Sequence, residues 1–178
     1  MKHFVLAPDS FKGTLSAAQV CNIQARAIRD HFPDADIRAI PMADGGEGMV
    51  DAYLRIIGGK RILVPVTAPL GATVEAAYGL LPDGSAVMEM AAAAGLPLVL
   101  GRENPLDTTT RGVGELLLHA AKNGIGRVLL GLGGSCTNDC GIGMAAALGY
   151  RFLDNSGNTV EPLARNLGRI DKILPPAE

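Results

Sequence analysis

Aromatic residues are scarce in this chain of 178 residues, which contains no tryptophan, four phenylalanines and three tyrosines. The core must therefore be aliphatic, and an aromatic platform for stacking single-stranded bases is not expected. An excess of positive charge is also missing, because 16 lysines and arginines stand against 18 aspartates and glutamates. Without a basic stripe, the sequence predicts no nucleic-acid partner.

Cysteine and histidine are sparse as well, with three residues of each. Cys21, Cys136 and Cys140 form no CxxC pair, a pattern that predicts a reduced, cytoplasmic protein. The histidines lie far apart in the sequence, so the paired ligand spacing of a structural zinc site is absent. The longest apolar run, Met90–Leu100, is interrupted by a glycine and a proline and is too short to span a bilayer. No membrane partner is expected.

The chain does have the composition of a globular protein, with 48% hydrophobic and 19% charged residues. Residues 4–58 alternate twice between a short apolar strand, a loop and an amphipathic helix. Ser16 with Gln19 forms a capping box at the start of the first helix, and Met49–Ile57 has helical apolar spacing. This alternation predicts the beginning of a parallel α/β sheet.

The pattern changes after residue 60. Strands are predicted at Lys60–Val66, Thr73–Leu80 and Ser85–Met90, with a hairpin turn at Pro82–Gly84. Antiparallel neighbours suggest a different sheet, so we expect one domain over 1–65 and a second over 66–178. The later predicted elements are a helix over 114–122, a strand over 127–132, a helix over 139–149, a hairpin over 150–160 and a weak helix over 163–174.

Glycine-rich loops with hydrogen-bonding side chains follow three of the predicted strands and precede helices. In an α/β sheet, ligands bind at the carboxyl ends of the strands, where glycine lets backbone amides approach an anion. The loops therefore suit a phosphate, although neither a Walker A motif nor a full dinucleotide fingerprint is present. For the last loop, a simple strand-to-helix turn capped by Asn138 or Asp139 is the alternative. The loops are Asp9–Gly13, Asp44–Gly48 and Gly133–Asp139.

Several side chains have both a functional and a structural interpretation. Lys12 would place a point charge on a transferring phosphoryl group, or be a solvated loop lysine. Asp44 and Glu47 would hold magnesium or take a proton from a hydroxyl, unless Glu47 only complements a helix dipole. Thr108–Thr110 would bind a polar ligand, but a helix cap is favoured. A lowered pKa at Cys136, which would support redox chemistry, is the least favoured hypothesis.

Five segments, in this order along the chain, resemble the signature segments of the bacterial-type glycerate kinase family, which includes glycerate 2-kinases. The similarity extends over almost the whole chain, and five colinear motifs are far more specific than one. The segments are APDSFKGTLSA (7–17), PMADGGEGMVDA (41–52), VTAPLGATVEAAYG (66–79), NPLDTTTRGVGELL (104–117) and GLGGSCTNDCGIGMAAALGYRFLD (131–154).

The resemblance implies ATP-dependent phosphorylation of D-glycerate with magnesium, and 2-phosphoglycerate is the favoured product. It also implies a Rossmann-like or flavodoxin-like domain, a second inserted α/β domain with a mixed sheet, and an active site in the cleft between them. On the matching motif positions, we expect catalytic roles for Lys12, Asp44 and Asp139. We expect substrate or phosphate contacts from Asp9, Ser10, Gly45, Gly46, Glu47, Gly133, Gly134, Ser135, Thr137 and Asn138.

The chain departs from the family pattern in two respects. Cys136 and Cys140 stand where small residues such as alanine and glycine are expected, which would make the site sensitive to oxidation. Family members are also about twice as long, so we expect an N-terminal portion in which both domains are incomplete. Such a fragment would either phosphorylate glycerate or only bind ligand or associate without turnover.

Overall fold

The computed structural model describes residues 1–11 and 13–176, so Lys12, Ala177 and Glu178 lie outside the described residues. The strands are β1 (His3–Leu6), β2 (Asp36–Ala39), β3 (Lys60–Thr67), β4 (Thr73–Leu80), β5 (Ala86–Glu89), β6 (Val128–Gly131), β7 (Arg151–Leu153) and β8 (Lys172–Leu174). The α-helices are α1 (Ala17–His31), α2 (Met49–Ile57), α3 (Ala91–Ala94), α4 (Arg111–Lys122) and α5 (Ile142–Ala147), and 3₁₀ helices occupy Leu96–Val99 and Ala164–Arg169.

Strands β1 and β2 pair in parallel and are connected through α1. The predicted capping box is confirmed, because the Ser16 hydroxyl accepts a hydrogen bond from the Gln19 amide and the Gln19 side chain accepts one from the Ser16 amide. Leu6 and Cys21 belong to the small apolar cluster between the strands and α1. Because the strands are parallel, the loops after β1 and β2 leave the same edge of the sheet.

The larger sheet has the strand order β3-β4-β5-β6. Its first three strands are antiparallel neighbours, and β6 is parallel to β5, with Glu89 opposite Gly131. Met88 packs with Val113 of α4 on one face, whereas Val87 packs with Val50 of α2 on the other. The predicted α/β class, with a parallel sheet and a mixed sheet, is confirmed.

Two predictions for the last forty residues are wrong in part. The helix expected from residue 139 begins only at Ile142, because Cys140 and Gly141 have φ angles of 52° and 75°, in the left-handed region. The weak helix expected over 163–174 is a 3₁₀ helix followed by β8, which pairs antiparallel with β7. Tertiary pairing of the β7 edge overrides the local helical preference there.

The predicted division between residues 65 and 66 stays a prediction, and it falls inside β3, which pairs with β4 on both sides of that point. Helix α2, assigned by the sequence to the first domain, packs against the larger sheet through Met49 and Val50. No helix in the described ranges combines the length and the apolar character needed to cross a membrane.

Candidate active site

A cleft of about 770 Å³ opens beside the carboxyl ends of the strands that precede the predicted loops. Residues from the loops after β1, β2 and β6 line it together with the segment that follows β5. Of the predicted site residues, the cleft is lined by Asp9, Ser10, Asp44, Gly46, Glu47, Gly134 and Ser135. The other predicted residues that the structure describes do not line it, and Lys12 lies outside the described residues.

The carboxylates of the first two loops are exposed and fixed by short local hydrogen bonds. Asp9 Oδ1 accepts from the Ser10 amide at 2.6 Å, and Asp44 Oδ1 accepts from the Gly46 amide at 3.0 Å. The ion pairs within residues 1–11 and 13–176 use other carboxylates than Asp9, Asp44 and Glu47. All three groups are therefore accessible to a ligand, and Asp9 and Asp44 are in addition oriented by backbone amides.

The second and third loops touch through their backbones. The Gly133 amide donates to the Gly45 carbonyl at 3.0 Å, and a Cβ on Gly133 would lie 2.8 Å from the Gly46 nitrogen and Cα. A side chain at Gly133 would therefore force the loops apart. Because the Gly133 amide already donates to Gly45, it is not free to bind an anion. The glycine at this position instead allows the two loops to pack closely.

The polar side chains that follow Gly134 mostly bond to their own segment. Ser135 Oγ lies 2.8 Å from Thr137 Oγ1 and also accepts from the Thr137 amide at 3.1 Å. Ser135 lines the cleft, whereas Thr137 and Asn138 do not. Burial raises the pKa of the Cys136 thiol, so the hypothesis of an activated, low-pKa cysteine is wrong.

Asp139 is enclosed at the junction of α4 and α5, with 1% of its surface exposed. Its Oδ2 accepts from the Thr110 amide at 2.9 Å, the Thr110 hydroxyl at 2.8 Å and the Gly143 amide at 3.2 Å. Its Oδ1 accepts from the Gly141 amide at 3.1 Å. The carboxylate thus joins the start of α4 to the first turn of α5, although the N-cap residue of α5 is Gly141 and not Asn138 or Asp139, and it does not line the cleft.

Glu89 was not singled out by the sequence, yet it lines the cleft at the carboxyl end of β5. Only 8% of its surface is exposed, and Oε1 accepts from the Val50 amide, at the start of α2, at 2.6 Å. Burial raises the pKa of its carboxyl group, against the lowering effect of the Val50 and Gly48 amides. The sequence feature that could have indicated its role is a glutamate at the end of a buried apolar strand.

A second cleft, of about 670 Å³, adjoins the first. It is lined by the first turn of α1 and by Arg55 and Arg61, and it shares Glu47 and Glu89 with the first cleft. Arg61 pairs with Asp51. Glu89 therefore lines both clefts.

The donor set of the first cleft suits a magnesium ion that arrives with a nucleotide. Magnesium prefers carboxylate oxygens and is usually bound through one or two of them together with phosphates and waters. Asp9, Asp44 and Glu47 offer such oxygens, although the described residues contain no ready-made group of metal-ligating side chains. The described lining residues include no lysine or arginine, so a bound anion would need a cation beside it.

Comparison with known proteins gives one consistent match. The sequence model of the family described as "Glycerate kinase family" matches residues 4–176. The chain is 48% identical to "Glycerate kinase" of Bacillus subtilis (strain 168) over 171 residues, which are 95% of this chain and 45% of that protein. It is 46% identical to "Glycerate 2-kinase" of Escherichia coli (strain K12) over 88% of this chain and 42% of that protein.

A solved structure agrees with these sequence matches. The crystal structure of "putative glycerate kinase 2" from Salmonella typhimurium LT2 superimposes with a TM-score of 0.78 at 44% identity. The match covers 97% of this chain and 46% of that one. The chain therefore spans about half the length of the relatives that it matches.

Proposed function

The chain belongs to the glycerate kinase family, and we propose that the protein phosphorylates D-glycerate with ATP, in the cleft between Asp44 and Gly134. The favoured product is 2-phosphoglycerate. The observation that carries the proposal is the meeting of loops from three strand ends around accessible, fixed carboxylates. Phosphoryl transfer needs positioned groups and charge neutralisation more than covalent help from the protein.

In the proposed reaction, a glycerate hydroxyl oxygen bonds to the γ-phosphorus of ATP while the bond to the ADP oxygen breaks. Asp44 accepts the hydroxyl proton, because its carboxylate is exposed and its Oδ1 is oriented by the Gly46 amide. Ser10 and Lys12 would contact the glycerate carboxylate or the phosphate. The proposal for Lys12 depends on the family resemblance alone, since this residue lies outside the described residues.

The chemistry that a bound magnesium ion would supply is neutralisation of charge on the transferring phosphoryl group, and Asp9 and Glu47 are the residues that would hold it. Gly134 and Ser135 face the same space and would contact phosphate or substrate. The partners proposed for this protein are thus ATP and D-glycerate. A cytoplasmic location stays a prediction from the cysteine pattern.

Asp139 was expected to be catalytic, and its contacts favour a different contribution. Four protein donors already occupy its oxygens, and its side chain is removed from the cleft. We propose that it acts as a positioning residue that fixes the Gly133–Asp139 loop between α4 and α5. Substitution of Asp139 would then mainly lower the free energy of unfolding, and any loss of turnover would follow from the loss of structure.

An alternative is that this chain binds ligand or associates without turnover. The observation that favours it is the exposure of apolar side chains on two of the sheets, since Val5 of β1 is 65% exposed and Leu129 of β6 is 45% exposed. Each of these surfaces would be stabilised by another layer of structure. The chain's coverage of about half of its relatives fits the same alternative.

A coupled assay of ADP release from ATP, magnesium and D-glycerate distinguishes the two, with NMR to identify the phosphorylated hydroxyl. The Bacillus subtilis relative is the positive control. Turnover that falls at least about 100-fold in Asp44→Ala, but not in the exposed control Asp34→Ala, would support the proposal. A folded chain that binds glycerate without turnover, beside an active control, would support the alternative.

A further inference from the structure

The Asp44–Gly48 loop and the helix α2 that follows it are attached at two points, one to the loop after β6 and one to strand β5. On one side, the Gly45 carbonyl accepts from the Gly133 amide at 3.0 Å. On the other side, Glu89 Oε1 accepts from the Val50 amide at 2.6 Å. Glu47 lies between these two points in the chain, Asp44 directly precedes the first of them, and both side chains line the cleft.

The second attachment replaces a cap that helix α2 lacks. The N-cap residue is Gly48, with φ of 94°, and a glycine has no side chain to accept from the first-turn amides. Those amides must find another acceptor or lose stability. Glu89 supplies one from a strand 39 residues later in the chain, and its position on β5, between β4 and β6, makes it a rigid support.

We propose that Glu89 is a positioning residue that holds the start of α2, and so fixes the carboxylates of the Asp44–Gly48 loop for phosphoryl transfer. The inference rests on the proposed glycerate kinase function. It requires that Glu89 act through its acceptor oxygen at the Val50 amide and not through contact with the substrates. Its position in the lining of both clefts places it beside the Asp44–Gly48 loop that it would hold.

The test compares Glu89→Ala with Glu89→Gln, because glutamine keeps an acceptor oxygen and loses the charge. The matched control is Glu115→Ala, which removes a carboxylate that accepts from the Thr67 amide at the same distance, 2.6 Å, away from both clefts. Amide hydrogen exchange at Val50 and steady-state kcat and KM would be measured for each variant. Hydrogen exchange reports on the loop whether or not the chain turns over.

We expect faster Val50 exchange and a kcat about 10- to 100-fold lower in Glu89→Ala, since small misplacements of catalytic groups have effects of this size. Glu89→Gln should restore Val50 protection and bring kcat within about threefold of the wild type, whereas Glu115→Ala should change neither. Unchanged Val50 protection in Glu89→Ala would overturn the inference. So would Glu89→Gln with a protected Val50 amide and the low kcat of the alanine variant, because the charge itself would then act. A wild-type chain without kinase activity would contradict the proposed function alone, and Val50 exchange would still decide the role of Glu89.

Discussion

Two buried carboxylates, Glu89 and Asp139, each accept a hydrogen bond from the start of a helix, but in different surroundings. Asp139 has 1% of its surface exposed and accepts hydrogen bonds from Thr110, Gly141 and Gly143. Glu89 has 8% exposed, accepts one close hydrogen bond, from Val50, and lines the cleft. A carboxylate whose oxygens both accept from protein donors away from the cleft stabilises the fold, whereas one that holds a helix start beside the cleft can position the groups that line it.

The same contrast separates the two ends of the Gly133–Asp139 loop. Gly134 and Ser135 at its beginning face the cleft, while Asp139 at its end is fixed between α4 and α5. The sequence presents this segment as one motif. The structure divides it into a part that a ligand can reach and a part that holds the first part in place.

The largest effect is expected from Asp139→Ala. The change leaves the buried amides of Thr110 and Gly143 without their acceptor, and each buried unsatisfied donor costs about 1–3 kcal/mol. The free energy of unfolding should therefore fall by about 3 kcal/mol or more, measured by urea denaturation. Asp34→Ala, an exposed aspartate, is the control and should change little. Full stability with lost turnover would return Asp139 to a catalytic role.

An intermediate effect is expected from Gly133→Ala, which tests the cleft side of the comparison. The new methyl group would lie 2.8 Å from the Gly46 backbone, so the loops must separate, at a cost of about 1–3 kcal/mol in unfolding free energy. Turnover should fall with it, because Asp44 is displaced. Gly126→Ala is the matched control, since a Cβ at Gly126 would meet no atom within 4 Å. Equal behaviour of the two variants in urea denaturation would contradict the packing role of Gly133.

Local sequence signals predicted the elements that local physics determines. The Ser16–Gln19 box, the helical spacing of Met49–Ile57 and the turn at Pro82–Gly84 each act within a few residues, and each is present in the structure. The carboxyl ends of the strands likewise indicated where polar loops would meet. Those features needed no knowledge of the rest of the chain.

The roles of Glu89 and Asp139 could not be predicted in this way, because their partners are distant in sequence. Glu89 meets Val50 across 39 residues, and Asp139 meets Thr110 across 29. The sequence of a glycine-rich motif is the same whether its carboxylate contacts a ligand or the start of a helix. Only the packing of α2, α4 and α5 separates the two cases.

The smallest effect is expected in how the free energy of unfolding changes with pH. The change should have opposite signs for Glu89, which lines the cleft, and for Asp154, which lies in an exposed turn. Burial raises the pKa of Glu89, so the folded chain holds that proton more tightly than the unfolded chain does. As the pH rises from the ordinary glutamate pKa through the raised value, wild-type unfolding free energy should fall relative to Glu89→Gln.

Hydrogen bonding from the Asn158 amide lowers the pKa of Asp154. The contribution of Asp154 to the free energy of unfolding is therefore lost as the pH falls through that lowered value, and Asp154→Asn should remove this loss. Urea denaturation of the three proteins between pH 3 and 7 measures both slopes. The same sign for both would mean that burial does not distinguish Glu89 from an exposed turn aspartate.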